Sequence, residues 1–162
     1  MIKKMETRAT PINGASLPKS DDVLPLDKVR NRFAALWLIA AAVLTLILVM
    51  QSLLGKFGDN AQEVWGWALS TIMPTLGMII SVLGYTALDP TTGTSVVKKS
   101  FSAIAFWLSV LYLILIALTV LIQPFSGKDP IQLMRLSNLW LGPFQGLVAS
   151  ALGVLFVSKR KR

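Results

Sequence analysis

Four long apolar runs dominate this chain: Phe33 to Leu54, Val64 to Leu88, Phe101 to Gln123 and Leu136 to Val157, none of which contains a charged residue. A helix rises 1.5 Å per residue, so about 20 residues cross about 30 Å of hydrocarbon, and each run meets that length. A helix in a soluble core is shorter and shows a periodic polar face. Strands of a membrane barrel alternate apolar and polar residues, and these runs do not. The expected fold is therefore all-α: a polytopic membrane protein with four transmembrane helices (33–54, 64–88, 101–123 and 136–157) packed as a bundle over residues 33–157. Composition agrees, with 15% charged residues against about 25% in an ordinary soluble domain.

The flanks differ in character. Residues 1–32 are polar and mixed, and Pro11, Gly14, Pro18 and Pro25 interrupt any helix there. This stretch is expected to be a flexible basic tail, its last residues leading into the first helix from Lys28 with Asp27 as a cap. Residues 158–162 form a short basic end. The first run starts too late and runs too long for the apolar part of a secretory signal, so an uncleaved signal anchor is expected.

Orientation follows from the basic residues. Of the 16 Lys and Arg, 13 lie in the N-terminal tail, the loop after the second run and the C-terminal end; Lys56, Lys128 and Arg135 lie on the other side. Basic residues resist translocation, so both termini and the middle loop are expected to be cytoplasmic, in the plasma (inner) membrane. The split also accounts for the net charge of +8 without nucleic acid as a partner. Lys28, Arg30, Arg32, Lys98, Lys99, Lys159, Arg160, Lys161 and Arg162 are the candidates for contact with anionic lipid; simple marking of topology is the alternative role for them. Trp37 and Trp107 fall near the inner ends of their runs, and Trp65, Trp67 and Trp140 near the outer ends, where indole rings favour the headgroup boundary.

The second and fourth runs share a pattern. PTLGMIISVLG starting at Pro74 and PFQGLVASALG starting at Pro143 match at five of eleven positions with a constant spacing of 69 residues. The first and third runs match more loosely, through Trp37-Leu38 and Trp107-Leu108. Either a helical hairpin has been duplicated, or membrane helices have reused the same small residues. At about 100° per residue, Pro74, Gly77, Ser81 and Gly84 share one helix face, as do Pro143, Gly146, Ser150 and Gly153, with Gly142 extending the second stripe. Small residues let helix backbones approach closely in lipid. These nine are the candidate helix-packing residues, the two stripes facing either each other or a second subunit. Each proline removes a backbone hydrogen bond and is expected to bend its helix.

Catalytic and metal chemistry find little material. The chain has no histidine and no cysteine, which removes the usual base near neutral pH, thiolate ligands and disulfides. No Asp, Glu, Lys, Arg or His lies within the four runs, against the usual requirement for proton coupling or ion binding at membrane depth. An active site would have to be assembled from Glu63, Asp89 or Asp129 with serines, so neither an enzyme nor a cofactor or metal is expected. Gln145 is the notable polar residue within the runs, with Thr75, Ser81, Ser109 and Ser150; its amide either bonds to a neighbouring helix or lines a pore.

Three functions are compatible with these features. The first is a non-enzymatic subunit or scaffold of a membrane assembly, docking on a copy of itself or another membrane protein. The second is a homo-oligomeric pore or membrane-permeabilising effector. The third is a small-solute transporter.

Overall fold

The computed structural model describes residues 22–88 and 96–157. Lys159, Arg160, Lys161 and Arg162, together with most of the expected N-terminal tail, lie outside the described residues. The elements are a short strand β1 (Val23–Pro25), helix α1 (Leu26–Leu53), helix α2 (Ala61–Leu88), strand β2 (Val96–Lys98), helix α3 (Lys99–Ile122) and helix α4 (Pro130–Val157), with 3-10 turns at Gly58–Asn60 and Gln123–Phe125.

All four helices are long and apolar enough to cross a membrane. Only 28% to 39% of each apolar window is buried inside the bundle. Large apolar side chains such as Ile39, Leu46, Ile104, Leu139 and Val154 therefore point outward. A soluble monomer rarely exposes apolar surface so continuously.

Each helix packs mainly on two others, α1 on α2 and α3 and α4 on α2 and α3, with a smaller contact between α1 and α4. The order around the bundle is thus α1, α2, α4, α3. One core runs its length, from Val29, Phe33 and Phe156 at one end, through Trp37, Tyr112 and Ile79, to Leu48, Val64 and Met134 at the other.

The helices start earlier than the apolar runs. At α4 the reason is local: Asp129 Oδ1 accepts the Ile131 N–H at 3.1 Å, and Pro130 occupies the first helical position, where its missing N–H costs nothing. Arg135, which ends the charge-free run, is an exposed residue inside the helix; a long basic side chain at a helix end reaches water while its stem covers apolar surface. The α1–α2 connection is set by Gly55, at φ 67°. The Gly55 N–H bonds the Ser52 carbonyl, and the Lys56 N–H the Gln51 carbonyl, both at 3.0 Å. This is a Schellman termination, which glycine's freedom at positive φ permits.

Residues 22–32 correct the expectation of a flexible tail up to residue 32. Val23–Pro25 pairs antiparallel with Val96–Lys98, in the register Val23 with Lys98, Leu24 with Val97 and Pro25 with Val96. Helix α1 begins at Leu26, with Pro25 extended at its N-cap and Asp27 in the first turn. Proline presets that extended approach and lacks the donor the helix start would leave unused. Asp27 is therefore not the cap, and the first helix starts two residues before Lys28. The ribbon joins the entrances of α1 and α3 at one end of the bundle, here the ribbon end; the two hairpin turns lie at the other, the loop end.

Candidate functional sites

The small-residue stripes face outward. On α2 the buried residues are Val64, Trp67, Ala68, Thr71, Ile72, Thr75, Leu76 and Ile79, whereas Pro74, Gly77, Ser81 and Gly84 are exposed. On α4 the core takes Met134, Ser137, Leu141, Val148, Leu152, Leu155 and Phe156, while Gly142, Pro143, Gly146 and Ser150 are exposed and Gly153 is half-buried. By the helical wheel, each stripe lies about 150° from the buried face of its own helix. A Cβ added at Gly77, Gly84, Gly142, Gly146 or Gly153 meets nothing within 4 Å. The expectation that the two stripes pack on each other within one protomer is thus corrected: the larger side chains on the opposite faces take that contact. Ser150 Oγ donates to its own Gly146 carbonyl at 2.8 Å, so its hydroxyl needs no partner. Both helices run unbroken across Pro74 and Pro143.

The α2–α4 contact uses longer polar side chains. Trp67 Nε1 donates to Asn138 Oδ1 at 3.0 Å. Deeper in the bundle, Gln145 Nε2 and the Tyr112 hydroxyl both approach the Thr71 carbonyl, each at 3.4 Å, and Thr71 Oγ1 donates to the Trp67 carbonyl at 2.7 Å. Gln145 is half-buried, and its amide is turned to α2, the interhelical role of the two expected for it. Beside this cluster Trp37 is fully buried, 6.0 Å from the Tyr112 ring between centroids. Its expected place at the headgroup boundary is corrected: the Trp37 ring is core, and its N–H has no partner among the described residues. Trp107 is 68% exposed. Trp65 is half-buried and donates to Ser52 Oγ at 3.0 Å, joining α2 to the end of α1.

The basic residues separate into two groups. Lys28, Arg32, Lys98 and Lys99 are exposed around the ribbon end. Arg30 is buried, and its guanidinium donates from Nε to the Leu155 carbonyl at 3.2 Å and from Nη2 to the Phe156 carbonyl at 3.0 Å. The last carbonyls of a helix lack intrahelical donors and carry the negative end of the helix dipole. Arg30 donates to both carbonyls, so its guanidinium is turned into the bundle and away from the lipid surface expected for it. The spacing shows this: Arg30 falls on the same face as Leu26, Phe33 and Trp37, at steps of four, three and seven, while Lys28 and Arg32 do not.

At the loop end Asn60 Nδ2 donates to Asp129 Oδ1 at 3.0 Å. Asp129 thereby caps α4 and holds the two hairpin turns together, a use that accounts for one of the carboxylates weighed as catalytic. Gln51 Nε2 donates to the Val120 carbonyl at 3.1 Å and ties α1 to α3. No protein-family model matches the chain, and neither a characterised protein nor a solved structure does.

Proposed function

We propose that this chain is a non-enzymatic integral membrane subunit that crosses the bilayer four times and docks through α2 and α4 onto a second copy or a larger membrane assembly. The observation that carries this is the pair of exposed stripes. Two helices present Pro, Gly and Ser outward, with open space beyond Gly77, Gly84, Gly142, Gly146 and Gly153, while their core contacts are already made by other faces. Van der Waals packing is the main source of helix affinity in lipid, and such faces let backbones approach closely.

A duplicated hairpin is part of the same proposal. Helices α2 and α4 are both 28 residues long and start 69 residues apart, the spacing of the sequence repeat. Asn60 and Asp129, which bond across the loop end, stand at that same spacing. The basic ring at the ribbon end, together with the Lys and Arg beyond the described residues, supports a cytoplasmic placement of that end and both termini, in the inner membrane.

Replacing Gly77 and Gly146 together by Leu tests the docking. The variant is expected to fold, because neither site is crowded, and to run at a smaller size than the parent in mild detergent. An unchanged size with unchanged melting overturns the proposal. Gln145, half-buried against α2, gives no support to a pore built around its amide.

A further inference from the structure

A cavity of about 620 Å³ opens between the first turns of α1 and α3 at the ribbon end, closed on one side by Leu24 of β1. Among the described residues, its charged lining side chains are Arg32 and Lys99, and no carboxylate lines it. Phe33, Leu36, Phe106 and Trp107 form its walls. From Lys99 to Trp107 the wall descends about 12 Å along α3 at the helical rise. Lys99 opens α3 at the mouth, while Arg32 lies about 9 Å along α1, beside Phe33, whose ring meets Phe106 at 5.8 Å between centroids. The two cations flank the upper part of the cavity, and Leu36 and Trp107 line it apolar below them. Both helices begin here, so the positive ends of two helix dipoles add to the two side chains.

We propose that this cavity binds one anionic phospholipid, its phosphate between Arg32 and Lys99 and the upper part of one acyl chain against Leu36, Phe106 and Trp107. A free phosphate would leave the aromatic walls uncovered. An apolar helix would leave two cations without a counter-charge. The chain's own Lys159 to Arg162 carry the same sign as the mouth. The volume lies in the range of specific ligand sites, about 300–1,000 Å³. This site stands apart from the α2 and α4 stripes, so either proposal can fail without the other.

Native mass spectrometry of the full-length protein, exchanged into detergent with phosphatidylglycerol or phosphatidylcholine, tests it. The parent is expected to retain one phosphatidylglycerol per chain and no phosphatidylcholine. Arg32→Gln with Lys99→Gln should lower retention at least about tenfold. Ala103→Phe, which fills the cavity and keeps every charge, should lower it as well. Lys28→Gln with Lys98→Gln removes the same charge outside the cavity and should leave retention unchanged. Equal retention of both lipids overturns the proposal, and so does full retention in Ala103→Phe. An equal loss in both double variants would assign binding to diffuse surface charge. Displacement of the lipid by inorganic phosphate alone would assign a free-anion site. Either of these two results also overturns it. Should the first double variant fail to fold, Ala103→Phe and the Lys28/Lys98 control decide.

Discussion

Arg30, in the second turn of α1, donates to the Phe156 carbonyl in the last turn of α4 at 3.0 Å, and so joins the first helix to the last across 126 residues of sequence. With the second bond to Leu155, one side chain closes the ribbon end of the bundle. A charged donor on a backbone carbonyl contributes more than a neutral pair, about 1.5–3 kcal/mol.

Arg30→Ala is therefore expected to destabilise the protein by about 2–3 kcal/mol, since the carbonyls of α4 lose their donors while partly buried. Arg30→Lys should recover part of the loss, because a single ammonium cannot reproduce the planar fork. Thermal melting in detergent, followed by circular dichroism, measures both. Equal melting of Arg30→Ala and the Arg32→Ala control would show that the buried contact contributes nothing.

Trp67 and Asn138 offer the opposite case. Their bond at 3.0 Å spans α2 and α4, yet hydrogen bonds between membrane helices couple by only about 0.6 kcal/mol on average, because the separated helices find other partners. A double-mutant cycle of Trp67→Phe and Asn138→Ala should return a coupling of about that size. A value above about 2 kcal/mol would mean that the bond is cooperative with the Thr71 cluster below it.

These two contacts also show what the sequence can carry. The four helices were legible because hydropathy is a local property: twenty apolar residues have few alternatives. Their starts were less so, because a search for charge-free runs stops at Arg135, although Asp129-Pro130 marks the start of α4 by its own chemistry. Arg30 was legible in principle from its spacing to Leu26 and Phe33. The ribbon was not, since two three-residue strands more than 70 residues apart leave no periodic signal. A stripe of small residues identifies a helix face but not what lies opposite it. The core took the larger side chains of α2 and α4 and left their glycines outside.

The glycines should therefore divide by backbone conformation. Gly55 and Gly127 stand at φ 67° and 60°, where an L residue is strained by about 1–2 kcal/mol. Gly77 and Gly146 are helical, with open space where a Cβ would go. Alanine at Gly55 or Gly127 should lower the melting temperature. Alanine at Gly77 or Gly146 should leave a single protomer unchanged or raise its stability by up to about 1 kcal/mol. The comparison is made in a strong detergent that holds the protein monomeric. A loss at Gly146 as large as that at Gly127 would mean that the α4 stripe is packed within the protomer.

The two ends of the bundle can be separated by cross-linking, and the absence of cysteine from the chain makes the background clean. Asn60 and Asp129 touch at the loop end, while Val23 and Lys98 are paired at the ribbon end. Cysteines at 60 and 129 should be bridged within one chain by a short bismaleimide that cannot cross membranes, when it is added to intact cells stripped of their outer layers. Cysteines at 23 and 98 should be bridged only after the membrane is opened. Both pairs are exposed or half-buried at the bundle ends, so the reagent reaches them without unfolding. The reverse pattern of protection would invert the proposed orientation and leave the fold intact. Failure of both pairs after lysis would overturn the bundle itself, because the two contacts fix how its hairpins are joined.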